Sequence, residues 1–236
     1  MKSLLSFTAP RSTCSYIPDL VSTMRYEYVA QMTPAEYEQR LLEGWRRFGI
    51  SLFTTACQNC RRCLSLRIPV EQFKPDRSQK RAWKANEDIH IEIGKPTVDE
   101  DRLTLYDRFH EHHADSKGWR FQAPKEEGDY AETFLINPFP TEEWCYYLGE
   151  KLIGVGYVDA LPNSLSAIYF YYDPDEMGRS LGTLNVLKII ESARLRGIPY
   201  LYLGYYVEGC RSLEYKGRFR PNEVLQVDGT WKPFLQ

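Results

Sequence analysis

Hydrophobic and polar positions along the chain change period, and the changes mark out its elements. The clearest stretch is Ser166–Phe219. Ser166–Tyr172 is a β-branched and aromatic run that fits a pleated, half-buried strand, and Asp173-Pro174 breaks it. Val186, Ile189, Ile190 and Ala193 recur at helical spacing, which predicts a helix from Ser180 as N-cap to about Arg196. Gly197 suits the left-handed residue past a helix, and Pro199 prevents continuation. Tyr200–Tyr206 reads as a second strand. Two strands joined by a helix of this length make a right-handed crossover between parallel neighbours. Just upstream, Trp144–Leu148 and Leu152–Ala160 flank Gly149-Glu150-Lys151 as a β-hairpin. Residues 143–206 therefore read as hairpin, strand, helix, strand.

The N-terminal half gives shorter signals. Residues 1–13 read as a loose arm, and Arg25–Ala30 alternates as a strand. Thr33-Pro34-Ala35-Glu36 carries a capping threonine, an early proline and an acid, so a helix starts there and runs to about Arg47, ending at Gly49. Ile89–Ile93 alternates as a strand. Val98–Asp115 reads as a helix with Leu103, Tyr106, Phe109 and His110 inward, and Tyr130–Asn137 as a shorter one. His110, His112 and His113 lack the i, i+4 spacing of a zinc-binding helix and read as an exposed or partly packed helix end. Together these elements predict an α+β chain. A smaller Cys-containing basic region, residues 1–85, precedes a larger domain, residues 86–236, either standing apart from it or packing onto it as one unit.

Composition narrows the function. A chain of 236 residues that is 43% hydrophobic buries a substantial core. A net charge of −2 excludes a polyanion binder that works by bulk charge. Yet Cys57–Lys84 holds eight basic residues against two acids, so the rest of the chain is net acidic. Within it Arg77, Lys80, Arg81 and Lys84 share one helix face beside Trp83, a pattern that suits phosphates and base stacking and also suits a plain solvated face. Arg179-Ser180-Leu181-Gly182 at a helix start offers free N–H groups, a positive dipole end and an arginine to an anion, or is simply a capped core helix. No apolar run reaches membrane-spanning length, and the N-terminal apolar stretch is too short for a secretory signal. Six cysteines without an export signal read as reduced thiols or a metal site. Cys57, Cys60 and Cys63 are spaced C-x2-C-x2-C, and Cys14 is the fourth candidate ligand for tetrahedral zinc or an iron–sulfur cluster; small buried thiols are the alternative.

Several words of the sequence then occur together. They are Cys14-Ser15-Tyr16-x-Pro18, Leu41–Gly49, the cysteine triplet followed by Arg67, and Phe73-x-Pro75-x-Arg77-Ser78-Gln79-x-Arg81. Asn86, Phe170–Pro174 with Arg179-Ser180-Leu181-Gly182, Pro199–Tyr205 and Tyr215-Lys216-x-Arg218-Phe219-x-Pro221 complete the set. In these the chain resembles the bacterial N-end-rule aminoacyl-tRNA–protein transferases, leucyltransferases acting on N-terminal Asp and Glu, and their arginyltransferase relatives. Its hairpin, crossover helix and anion turn are similar to the GCN5-related N-acetyltransferase (GNAT) fold. The resemblance implies a cytoplasmic aminoacyltransferase whose partners are aminoacyl-tRNA and a protein with an acidic N-terminal residue, with leucine favoured over arginine as donor. It implies no cofactor for the chemistry, with structural zinc or Fe–S at the cysteines as the open question.

Such a reaction needs an amine oriented at an ester carbon, donors for the developing oxyanion and a cation for the acidic acceptor. Asp173 is the candidate to orient the amine, with the hydroxyls of Tyr172 and Tyr205 at the strand ends aimed at the ester. Arg77, Lys216 and Arg218 are the candidates for the acceptor carboxylate. Arg67, Lys80, Arg81, Lys84 and Arg179 are the candidates for tRNA phosphates. Two other readings stay open: an acetyl-CoA-dependent N-acetyltransferase, although Thr183-Leu184 follow Gly182 where a glycine-richer loop is usual, and a non-enzymatic nucleic-acid-binding protein built on Cys57–Lys84.

Overall fold

The computed structural model describes residues 1–119 and 121–234. The chain runs β1 (Lys2–Thr8), β2 (Ser12–Thr13), β3 (Val21–Ser22), β4 (Met24–Gln31), α1 (Pro34–Leu42), β5 (Arg46–Phe48), β6 (Ser51–Thr55), β7 (Leu64–Pro69) and α2 (Arg77–Lys84). It continues through β8 (Ile89–Gly94), α3 (Glu100–Lys117), α4 (Glu127–Phe134), β9 (Glu142–Leu148), β10 (Lys151–Ala160) and β11 (Ser164–Tyr172). Last come α5 (Leu181–Leu195), β12 (Tyr200–Tyr206), α6 (Arg211–Glu214), β13 (Glu223–Leu225) and β14 (Trp231–Pro233). The class is mixed α and β around an eight-stranded sheet ordered β14-β13-β7-β12-β11-β10-β9-β8, beside a four-stranded sheet ordered β1-β4-β6-β5. Among the described residues no helix is long and apolar enough to cross a membrane.

Residues 143–206 form the hairpin, strand, helix and strand that their periodicity predicts. In β9, Trp144 and Tyr146 point to one face of the sheet and Cys145 to the other, as the two-residue strand period requires. The first face is covered by α5 through Leu184, Leu187 and Ile190, and the second by α3 and α4 through Tyr106, Phe109, Tyr130 and Phe134. His110 is buried on that second face, as its inward place in the helix predicts, and His113 is buried with it. His110 shares hydrogen bonds with the Tyr106 carbonyl at 2.7 Å and the Tyr169 hydroxyl at 2.8 Å, and burial pushes its pKa down.

The N-terminal half departs from its expected outline. Residues 2–8 are not a loose arm: they pair with β4, although every side chain in β1 is exposed. Backbone pairing, not burial, makes this strand. Helix α1 stops at Leu42 instead of continuing to Arg47. Gly44 takes φ +88°, Gly44 N–H donates to the Leu41 carbonyl and Trp45 N–H to the Arg40 carbonyl, which is the paired closure of a Schellman C-cap. The released Arg46–Phe48 becomes strand β5 against β6.

The division at residue 85 crosses the large sheet. β7 lies between β12 and β13, and Tyr202 from β12 joins the cluster of Val29, Leu41, Trp45 and Leu52 under the smaller sheet. Arg47 and Asp159 form a fully buried ion pair between β5 and β10, supported by Thr141 and Asn137.

Candidate functional site

The parallel pair in the centre of the large sheet opens like a wedge. β11 and β12 pair only at Ser164–Tyr200, Leu165–Leu201 and Ser166–Tyr202. Beyond that, β11 pairs with β10 and β12 with β7, so the carboxyl ends of the two strands part. A gap at the carboxyl ends of parallel strands is where ligands enter sheets of this kind. Tyr172 and Asp173 stand at the end of β11, Tyr205 and Tyr206 at the end of β12, and the start of α5 follows the 174–179 turn.

Tyr172 is half-buried among Phe109 and Phe170, and its hydroxyl has no hydrogen-bond partner among the described residues. Burial raises its pKa, so it is a proton donor across the neutral range. The other two expected catalytic groups are already engaged. Asp173 is fully buried and bound to Lys151 Nζ at 2.7 Å, to Arg108 Nη2 at 3.1 Å and to the Asp175 N–H at 3.1 Å. Burial pushes its pKa up, but these bonds outweigh it and hold the carboxyl below its ordinary range. It fixes the end of β11 instead of presenting a free carboxylate. Tyr205 is buried and donates to the Gly44 carbonyl at 3.0 Å, which ties β12 to the C-cap of α1.

The basic candidates separate by whether their charge is already matched. Arg67 is not on the surface: it lies between the rings of Tyr200 and Trp231, at 4.0 and 4.5 Å, and binds Glu223 at 2.7 Å. Arg179 does not face solvent freely either. It binds Asp88 and Glu176, both at 2.9 Å, and donates to the Ala85 carbonyl at 3.2 Å. Asn86 donates to the Arg179 carbonyl at 2.8 Å, so the C-terminal end of α2 is fastened to the turn before α5. Ser180 stands at the N-cap position with φ +57° and makes no side-chain cap bond. By contrast Arg77, Lys80, Arg81 and Lys84 are all exposed along α2, and no described side chain forms an ion pair with them. Trp83 is not free for base stacking, since it packs toward α5 with Lys188 Nζ 3.7 Å above its ring. Gln79, held in a capping box with Asp76, donates to the Arg218 carbonyl at 3.2 Å and leaves the Arg218 side chain exposed.

Lys216 lies behind the end of β12, where its ammonium donates to the Tyr205 carbonyl at 3.2 Å and meets no carboxylate. Burial and then the nearby Arg46 charge bring its pKa down to about 7. Arg46 was hidden in the sequence by the overlong helix; the signal that reveals it is Gly44, the earlier of two glycines able to end α1. The cysteines gather near this place. Burial and the charges of Cys14, Cys57, Cys60 and Cys210 push the Cys63 thiol up to about 12, so the four expected cysteines and a fifth surround one region. Their chemistry suits zinc or an Fe–S cluster; as placed, no three Cys, His, Asp or Glu side chains among the described residues are grouped to hold a metal ion.

Comparison with known proteins completes the description. The family model for the arginine-tRNA-protein transferase N terminus matches residues 12–81, and the model for its C terminus matches residues 101–226. The chain is 39% identical to an aspartate/glutamate leucyltransferase of Helicobacter hepaticus, over 94% of this chain and 92% of that one. It is 40% identical to the protein of the same name from Pseudomonas fluorescens, over 95% and 94%. With that of Campylobacter jejuni the identity is 32% over 94% and 93%. A solved structure of L-PGS from Bacillus licheniformis covers 72% of this chain and 58% of its own at a TM-score of 0.46 and 11% identity, too distant to bear on function. Matched in both halves and along nearly its whole length, the chain belongs to the arginine-tRNA-protein transferase family.

Proposed function

We propose that this chain transfers the leucyl group of a charged tRNA to the N-terminal Asp or Glu of proteins, in the cytoplasm, and so marks them for N-end-rule degradation. The observation that carries the reading is 39% identity to an aspartate/glutamate leucyltransferase over 94% of the chain. The sheet around β9–β12 with α5 crossing between parallel strands is read as a GNAT-like acyltransferase core, and residues 1–85 as a region working with it as one unit. Leucine is the donor in this reading because the relatives bear that name, whereas the family description refers to arginine.

The chemistry asks little of the protein beyond placement. The ester on tRNA is already activated, and an acceptor amine with a pKa of about 7.7–8.0 is partly neutral at physiological pH. The neutral amine adds to the ester carbon, the new C–N bond forms, and the bond to the terminal ribose oxygen breaks. The surplus proton of the amine ends on that oxygen. Placing the two reactants supplies several kcal/mol of the barrier, on the order of 7 or more when alignment is good. In this scheme Tyr172, with its unpaired hydroxyl at the mouth of the wedge, donates toward the oxyanion. Asp173 is a positioning residue, because its bonds to Lys151 and Arg108 set where β11 ends. The stripe on α2, fastened beside the start of α5, takes phosphates of the tRNA. No step passes through a metal.

The test uses the full chain with tRNAs charged separately with leucine and arginine, and a peptide beginning with Asp or Glu. Mass spectrometry is expected to find the leucine-extended peptide, and none from an N-acetylated control. No product from either charged tRNA would sink the reading, and tight coenzyme A binding by calorimetry would point to acetylation instead.

A further inference from the structure

A shielded cation without a partner anion is costly, and among the described residues buried Arg46 lies beside partly buried Lys216 in this condition. Arg46 is 6% exposed. Among the described residues its guanidinium donates only to backbone carbonyls, Trp45 at 2.6 Å and Gly204 at 3.3 Å, and its Nε is buried with no partner. Among the described residues no carboxylate pairs with it: Asp159 binds Arg47, and Glu38 accepts from Asn163 and Ser164. Among the described residues Lys216 donates only to the Tyr205 carbonyl. The rings of Tyr202 and Tyr205 face the Arg46 guanidinium at 5.7 and 5.4 Å and partly offset its charge from the apolar side.

Gly204 lies between the two cations. It sits at an irregularity in the β12–β7 pairing with φ +81°, a conformation that favours glycine. A Cβ placed there would lie 3.5 Å from Lys216 Nζ and 3.9 Å from Arg46 Nε. A single methyl there would thus touch both cations, which places their charges on either side of the same glycine. Gly204 and Lys216 are both partly exposed.

We infer that Arg46 and Lys216, set on either side of Gly204, form the subsite that binds the side-chain carboxylate of the acceptor's N-terminal Asp or Glu, with Arg46 as a specificity-determining residue. The inference rests on the aminoacyl transfer proposed above. A carboxylate is the favoured anion because both cations are shielded and flank one glycine. A nucleic-acid phosphodiester has neighbours on both sides and suits the exposed stripe of α2. An arginine with an open Nε edge offers the two-pronged geometry a carboxylate accepts.

The experiment compares full-length wild type with Arg46→Gln, Arg46→Lys and Lys216→Met, using leucyl-tRNA and peptides that differ only in an N-terminal Asp or Asn. Three quantities are read: kcat/KM for each peptide, the affinity for leucyl-tRNA, and the melting temperature. Arg46→Gln is expected to lower the Asp:Asn ratio of kcat/KM by about 10- to 100-fold, with most of the change in the acceptor KM and none in tRNA affinity. Arg46→Lys restores part of it. If Arg46→Gln fails to fold, Lys216→Met decides, because a partly buried lysine that pairs with no carboxylate among the described residues contributes little to the fold. An unchanged Asp:Asn ratio in the folded variants overturns the inference, as does a loss confined to leucyl-tRNA binding, which would assign the site to a tRNA phosphate. Wild type that transfers to no acidic peptide would instead overturn the function proposed above.

Discussion

Neutralising two cations of α2 should change how tRNA binding responds to salt. Lys80 and Arg81 are exposed, share a face with Arg77 and Lys84, and meet no acid. Their charge is therefore fully available to a polyanion. Replacing both with glutamine keeps good helix formers at the two positions, and the Asp76–Gln79 capping box and Trp83 under Lys188 continue to hold the helix. Each phosphate contact contributes about 0.7 to 0.9 to the slope of log affinity against log salt, so losing two flattens the slope by about 1.5. Between about 50 and 200 mM salt the wild type should then lose about eightfold more affinity for leucyl-tRNA than the double variant does. Fluorescence titration of labelled leucyl-tRNA at four salt concentrations reads this directly. Arg67→Gln is the contrasting case, since Arg67 is enclosed by Tyr200, Trp231 and Glu223. It should cost about 1–3 kcal/mol of stability and leave the slope alone. An unchanged slope in the α2 variant, or an equal change in Arg67→Gln, would refute the assignment of α2 as the phosphate-binding face.

The remaining expectations are briefer. Arg47→Met leaves Asp159 buried without its cation and should destabilise the fold by about 3–5 kcal/mol in urea titration. Because Asp173 has a lowered folded pKa, its contribution is complete above the unfolded value near about 3.9 and disappears as pH falls through the folded one; melting curves of wild type and Asp173→Asn should differ at pH 7 and draw together as the pH falls below the ordinary carboxylate range. Lys216 titrates at about 7 beside Arg46, Cys210 and Tyr205, so its positive charge fades as pH rises past neutrality. The acceptor KM should therefore climb from pH 6.5 to 8.5 in wild type, and a climb of equal size in Lys216→Met would exclude this lysine as the cause. As arranged, the thiols predict well under one equivalent of zinc or iron in untagged protein; one full equivalent, released by Cys60→Ser, would show that the segment closes around a metal.

What was legible in the sequence followed from local chemistry. Strands β9–β12 and helix α5 each carry their own period and punctuation, so their order and the parallel crossover were readable before any contact was known. β1 and β7 were not, because what makes them strands is pairing with β4 and β12, partners distant in sequence. The same limit governs the site. Charges were visible, but not their counterions: Arg108 lies 65 residues before Asp173, and Asp88 lies 91 residues before Arg179. Once the partners are known, the cations fall into three physical groups. Arg67 and Arg179 are matched by carboxylates, and neutralised charges hold structure. Arg77, Lys80, Arg81, Lys84 and Arg218 are unmatched and exposed, where screening by water leaves each one weak and only a repeated polyanion gains much from the set. Arg46 and Lys216 are unmatched and shielded, where a single compact anion gains most because the cost of desolvating the cations has already been met in folding. A reaction that must hold both a long polyanion and one carboxylate needs the last two kinds of site, an exposed stripe and a shielded pair.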